Sequence, residues 1–127
     1  MIFGYVPPEY VNDEIRELLA PAVKRGGNDW DEVATMLADM RAQCWMAMDD
    51  KPRMAVVTRM DGDVGEIWLL GGNNRKDWLH FLPTLEAGLR GGGAVKGRLT
   101  GRKGWKRVLA PFGWVCEGED MVKDLAQ

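Results

Sequence analysis

Apolar positions along the chain change period several times, and each change marks an element. Ile2, Phe3, Tyr5 and Val6 form a short apolar run that Pro7-Pro8 stops, because proline brings no backbone N–H to a ladder. A first strand is predicted there. Val11, Ile15, Leu18, Leu19, Ala22 and Val23 then recur at helical spacing, with Asp13, Glu14, Arg16, Glu17 and Lys24 on the other face. This helix should bend at Pro21 and end at Gly26-Gly27. Trp30, Val33, Ala34 and Leu37 form the stripe of a second helix, for which Asn28 is the expected N-cap.

Beyond residue 42 the pattern becomes strand-like. Gln43 to Met48 and Met54 to Met60 flank Asp49-Asp50-Lys51-Pro52-Arg53 and read as an antiparallel hairpin. After the turn Asp61-Gly62-Asp63, the run Glu66-Ile67-Trp68-Leu69-Leu70 is apolar enough for a strand covered on both faces, the expected sheet centre. Trp78, Leu82, Leu85 and Leu89 predict a third helix, kinked at Pro83 and stopped by Gly91-Gly92-Gly93. Ala94 to Leu99 predicts a fifth strand. Arg102 to Leu109 predicts a short helix with Trp105, Val108 and Leu109 on one face, and Phe112 to Cys116 with Met121 to Leu125 a final strand or hairpin. The order is β-α-α-β-β-β-α-β-α-β: an α/β (α+β) fold, one domain over residues 1-127, with a mixed central sheet, an antiparallel meander and flanking helices.

Composition narrows the function classes. Hydrophobic residues at 46% and charged residues at 28% belong to a chain with a packed core rather than a disordered one. A net charge of −2 leaves nucleic acid or an anionic membrane, as partners of the whole surface, unexpected. Cys44 and Cys116 are too few for a disulfide framework and lack metal-site spacing, so buried free thiols are expected. His80, the single histidine, has no cluster of ligands around it, and no metal is expected. No apolar run is long enough to span a bilayer, and the start has no signal-peptide character, which implies the cytoplasm.

The closing segment from Leu99 to Trp114, read as Gly101-Arg102-Lys103-Gly104-Trp105-Lys106-Arg107-Val108-Leu109 leading to Gly113-Trp114, resembles the strand-helix-strand end of small phage-encoded GNAT-like proteins, whose pattern is roughly GRxGWxRxLxxxGF. Trp114 stands where that family usually has Phe or Tyr. The element order is also the GNAT topology.

In that family acyl-CoA binds where the fourth strand parts from the fifth, and a loop of the form (Q/R)xxGx(G/A) wraps the pyrophosphate. The resemblance places Gly71, Gly72, Asn74 and Arg75 at the cofactor and Glu66, on the fourth strand, as the catalytic base. Backbone N–H groups and small residues suit anions there. Aligning Arg75 with the basic residue of the loop, however, puts Trp78 and His80 where small residues belong, and Asp77 adds a like charge. The Tyr that commonly serves as acid is missing between Arg102 and Pro111.

Two functions follow as expectations. In the first, the cofactor loop has degenerated, no cofactor binds, and a phage-type GNAT scaffold works by binding a protein partner, such as phage structural proteins, in the host bacterial cytoplasm or within a virion. In the second, the chain is an active acetyl-CoA-dependent N-acetyltransferase. Lys96, Arg98, Arg102, Lys103, Lys106 and Arg107 form a run without acidic residues that could hold CoA phosphates, an acidic partner or, less expectedly, nucleic acid. The six tryptophans would favour a protein-binding face if two or more were exposed.

Overall fold

Seven strands form one mixed sheet, in a computed structural model that describes residues 1–100 and 104–126. Strand β1 (Ile2–Val6) lies at one edge, antiparallel to β2 (Ala42–Met48), which pairs with β3 (Pro52–Asp61), which in turn pairs with β4 (Val64–Gly72). Strand β5 (Lys96–Thr100) runs parallel to β4, and β7 (Asp120–Asp124) lies between β5 and the short outer strand β6 (Val115–Glu117). The order across the sheet is thus β1-β2-β3-β4-β5-β7-β6, with β4 in the middle as its apolar run predicts. The expected final strand is a two-stranded hairpin.

Helices α1 (Asp13–Arg25) and α2 (Trp30–Ala38) cover one face through Ile15, Leu19, Val23, Val33 and Leu37, which pack on Val6, Cys44, Ala55, Val57 and Leu69. Asn12 Oδ1 accepts from the Ile15 N–H to cap α1. Asp29, not Asn28, caps α2, accepting from the Asp31 N–H at 2.7 Å. Pro21 is accommodated inside α1.

The other face carries α3 (Leu82–Gly91) and α4 (Trp105–Leu109). Leu82, Leu85, Trp105 and Leu109 pack with Met54, Val56, Ile67, Leu99 and Trp114. The expected helix from Trp78 to Leu89 with a kink at Pro83 is corrected here. Residues Arg75–Asp77 and Leu79–Phe81 form two tight 3-10 turns, and the α-helix begins only at Leu82. Proline lacks the N–H an interior position must donate, so Pro83 sits in the first turn, where that hydrogen is not needed. Cys44 is buried, but Cys116, expected to be buried too, is exposed on the outer strand β6. All six tryptophans are buried or partly buried.

No described helix is long and apolar enough to cross a membrane.

Candidate active site: the parted strands β4 and β5

One irregularity in β4 creates the site. Val57 pairs with Leu69, and Thr58 pairs with Ile67, so Trp68 is an extra residue opposite β3. Side chains on a strand alternate between faces, yet Trp68 and Leu69 both pack against the α1 side while Ile67 packs against the α3 side. Such a bulge bends its strand. On the other edge, β4 pairs with β5 only from Val64/Lys96 to Ile67/Leu99. From Trp68 to Gly72, β4 therefore has no partner on its β5 side, while β5 continues through Thr100 against β7.

The parting opens a groove of about 600 Å3 lined by Arg25, Asn28, Arg59, Glu66, Trp68 and Thr100. An outer groove of about 520 Å3 adjoins it, lined by Glu14, Glu17, Gly71, Gly72, Asn73 and Arg75. Arg25, Leu70 and Trp105 belong to both. The structure thus brings Glu66, Gly71, Gly72 and Arg75 onto the walls of these two adjoining grooves.

Their chemistry differs from what was expected. Glu66 is held between two guanidiniums: Arg59 donates to Oε1 at 3.0 Å, and Arg98 donates to Oε2 at 2.6 Å. These three residues face one another across β3, β4 and β5, and Arg59 also lies 4.1 Å over the Trp68 ring. With Arg59 Nε donating to Oε1 as well, three of the carboxylate's roughly four lone-pair sites are engaged, and both oxygens are held by cations.

Gly71 and Gly72 are accounted for by packing. A β-carbon on Gly71 would overlap the Leu18 carbonyl oxygen, and one on Gly72 would come 2.6 Å from the Met54 Cβ. Asn74 adopts a left-handed conformation (φ 53°), donates to Asp77 Oδ2 at 3.0 Å and does not line either groove. Arg75 does, with its guanidinium 5.8 Å from the centroid of Trp105. Trp78 is turned into the core, only 5% exposed, and His80 stacks on Phe81 away from the grooves. Trp78 nonetheless lines the outer groove, while the main chain after β4 forms 3-10 turns and α3 starts only at Leu82.

The basic run does not form one patch. Lys96 is paired with Glu117 at 3.2 Å, and Arg98 with Glu66 and with Asp61 at 3.1 Å. Both alternate with Gly97 and Leu99, which face α3 and α4, so they lie on the opposite sheet face from α4. Lys106 and Arg107 are exposed on α4. Arg102 and Lys103 lie outside the described residues.

Sequence reasoning missed Arg25, Asn28, Trp68 and Trp105 as groove residues. Arg25 reads as an ordinary polar helix end, and nothing local announces that Trp68 is bulged.

No family model matches the sequence, and no curated relative does. Solved structures match closely in shape. An aminoglycoside 6'-acetyltransferase type Ii superposes with a TM-score of 0.74 at 14% identity, over 100% of this chain and 99% of that one. A GNAT family acetyltransferase from Brucella melitensis in complex with acetyl-CoA gives 0.71 at 15% identity, covering 99% and 88%. An acetyltransferase from Bacillus subtilis in complex with CoA gives 0.68 at 17% identity, covering 96% and 97%. On this evidence the chain has the GNAT acetyltransferase fold.

Proposed function

We propose that the protein binds an acyl-CoA thioester in the cleft between β4 and β5 and transfers the acyl group to an amine. The observation that carries this reading is the free backbone edge of β4 from Trp68 to Gly72, which faces a groove instead of a strand. Unpaired N–H and C=O groups beside a sheet take an extended, amide-bearing chain as an added strand. The CoA arm is such a chain, and proteins of the same fold bind CoA and acetyl-CoA.

The fit differs along the ligand. The arm has a free strand edge to pair with. For the diphosphate, Gly71 and Gly72 line the outer groove, but what excludes a side chain at each is Leu18 or Met54, so they are not a cradle kept bare for a ligand. Its charge would fall to the side chains of Arg75 and Arg25, which suit phosphate through their forked donors. Glu14 and Glu17 on the same wall weaken that attraction.

In the transfer, the amine nitrogen attacks the thioester carbonyl carbon. The C–N bond forms, the C–S bond breaks, and the thiolate leaves with the proton that the nitrogen loses. Glu66, engaged by Arg59 and Arg98, orients the cleft wall rather than taking that proton, so the rate depends on amine that arrives neutral or loses its proton to water.

Action purely as a protein-binding scaffold gains support from the occupied state of Glu66, Gly71 and Gly72. It loses support from the tryptophans, none of which offers an open aromatic anchor. Phage origin and a virion role draw no support from the acetyltransferase structures compared above.

Calorimetric titration with acetyl-CoA tests the proposal. Saturable binding that weakens with salt and with Arg75→Ala is expected. Absence of heat and of any rise in melting temperature at about 1 mM ligand would remove it.

A further inference from the structure

Where β4 and β5 part, an apolar chamber of about 30 Å3 lies against the inner groove and shares part of its wall. Ile67, Leu70, Leu99 and Trp105 line both the chamber and the inner groove, while Leu85 and Trp78 close it on the α3 side. A space of this size has room for about two water-sized groups. Water suits it poorly, because ordered water needs two to four polar partners and this wall is made of hydrocarbon.

The wall holds one polar feature. Trp78 is buried, and its indole N–H is the single buried side-chain donor without a partner among the described residues. Two other tryptophans packed in the same core use theirs: Trp45 Nε1 donates to Thr58 at 3.0 Å, and Trp114 Nε1 donates to Glu86 at 3.0 Å. A group that joins one acceptor oxygen to a short apolar chain satisfies both the chamber and the orphan N–H. The acyl end of a thioester is such a group.

We infer that this chamber takes the acyl chain of the donor thioester, with Trp78 Nε1 donating to the carbonyl oxygen, and that the protein accordingly prefers an acyl group of about four carbons to acetyl. The inference rests on the acyl-CoA reading above and specifies its substrate. An acetyl methyl leaves the chamber unfilled, whereas the two further carbons of a butyryl group occupy it.

The test is a calorimetric series with CoA, acetyl-CoA, butyryl-CoA and octanoyl-CoA. Butyryl-CoA is expected to bind about fifteenfold more tightly than acetyl-CoA, since each of the two further buried methylenes contributes about fourfold. Octanoyl-CoA gains nothing more, because the chamber is full. Trp78→Phe keeps the aromatic bulk and removes the N–H, and should shrink the advantage of the acyl-CoAs over free CoA about fivefold. If acetyl-CoA binds as tightly as butyryl-CoA, or more tightly, the chamber assignment falls and the acyl-CoA reading stands. If no member of the series binds at about 1 mM, both fall together.

Discussion

Gly71 lies against the backbone of Leu18 with no room for a side chain between them: a β-carbon there would overlap the Leu18 carbonyl oxygen and stand 2.8 Å from its carbon. This contact sets how closely α1 approaches β4. Gly71→Ala must lift the helix from the strand and is expected to cost about 3 kcal/mol. Urea unfolding should show a lower midpoint with an unchanged slope. A midpoint equal to that of the wild type would mean that α1 shifts at Leu18 without loss.

Glu66 joins β3, β4 and β5 through Arg59 and Arg98, whose side chains are 33% and 26% exposed. Glu66→Gln keeps the shape and removes the charge, leaving two guanidiniums facing a neutral amide. A loss of about 1–2 kcal/mol is expected, modest because both arginines reach water. Acyl transfer by this variant should keep the pH–rate profile of the wild type. Loss of one limb of that profile would return Glu66 to the role of base.

Burial at Cys44 pushes its thiol from 9.0 up to about 12. The folded state therefore holds the neutral thiol over a range in which the unfolded chain releases the proton. Below about pH 9 the group has no effect on stability; from there toward pH 12 it lowers stability by about 1.4 kcal/mol per pH unit. Cys44→Ala should flatten the fall measured between pH 9 and 10.5. Native alkylation followed by mass spectrometry should modify Cys116 alone, and both thiols in urea; fast labelling of Cys44 in the folded protein would contradict its burial.

Glu86 is buried on α3, accepting from Trp114 Nε1 at 3.0 Å and pairing with Lys123 Nζ at 2.6 Å. These bonds fasten α3 to the β6–β7 hairpin. Glu86→Ala strands an indole N–H and an ammonium together and is expected to cost about 3 kcal/mol. Glu86→Gln, which can still accept from Trp114, should lose roughly half as much. Equal losses would place the energy in the charge rather than in the indole bond.

Much of the fold could be read from spacing alone. Pro7-Pro8 does end β1, the 43–60 hairpin and the central position of β4 follow from their patterns, and the GNAT order is the observed one. The region from Trp78 to Phe81 was misread because Trp78, Leu82, Leu85 and Leu89 have helical spacing although Pro83 cannot donate inside a helix. Asn28 and Asp29 are both good caps, and only the path of the chain selects Asp29. At the site, Glu66, Gly71, Gly72 and Arg75 line the grooves and Asn74 does not, and what excludes a side chain at the two glycines is Leu18 and Met54. Those contacts join residues more than 15 positions apart, which no local pattern records. The exposed Cys116 belongs to an outer strand only three residues long, too short to show alternation.

The extra residue at Trp68 makes β4 a strand whose halves are out of parity: counting from Val64, odd and even positions exchange sides once Trp68 is passed. Deleting Trp68 would restore simple alternation with Ile67 still toward α3 and Leu69 still toward α1, so both halves keep their faces and their partners on β3. What is lost is the bend, and with it the divergence from β5. The width of the cleft thus hangs on one residue that the sidedness of neither half requires.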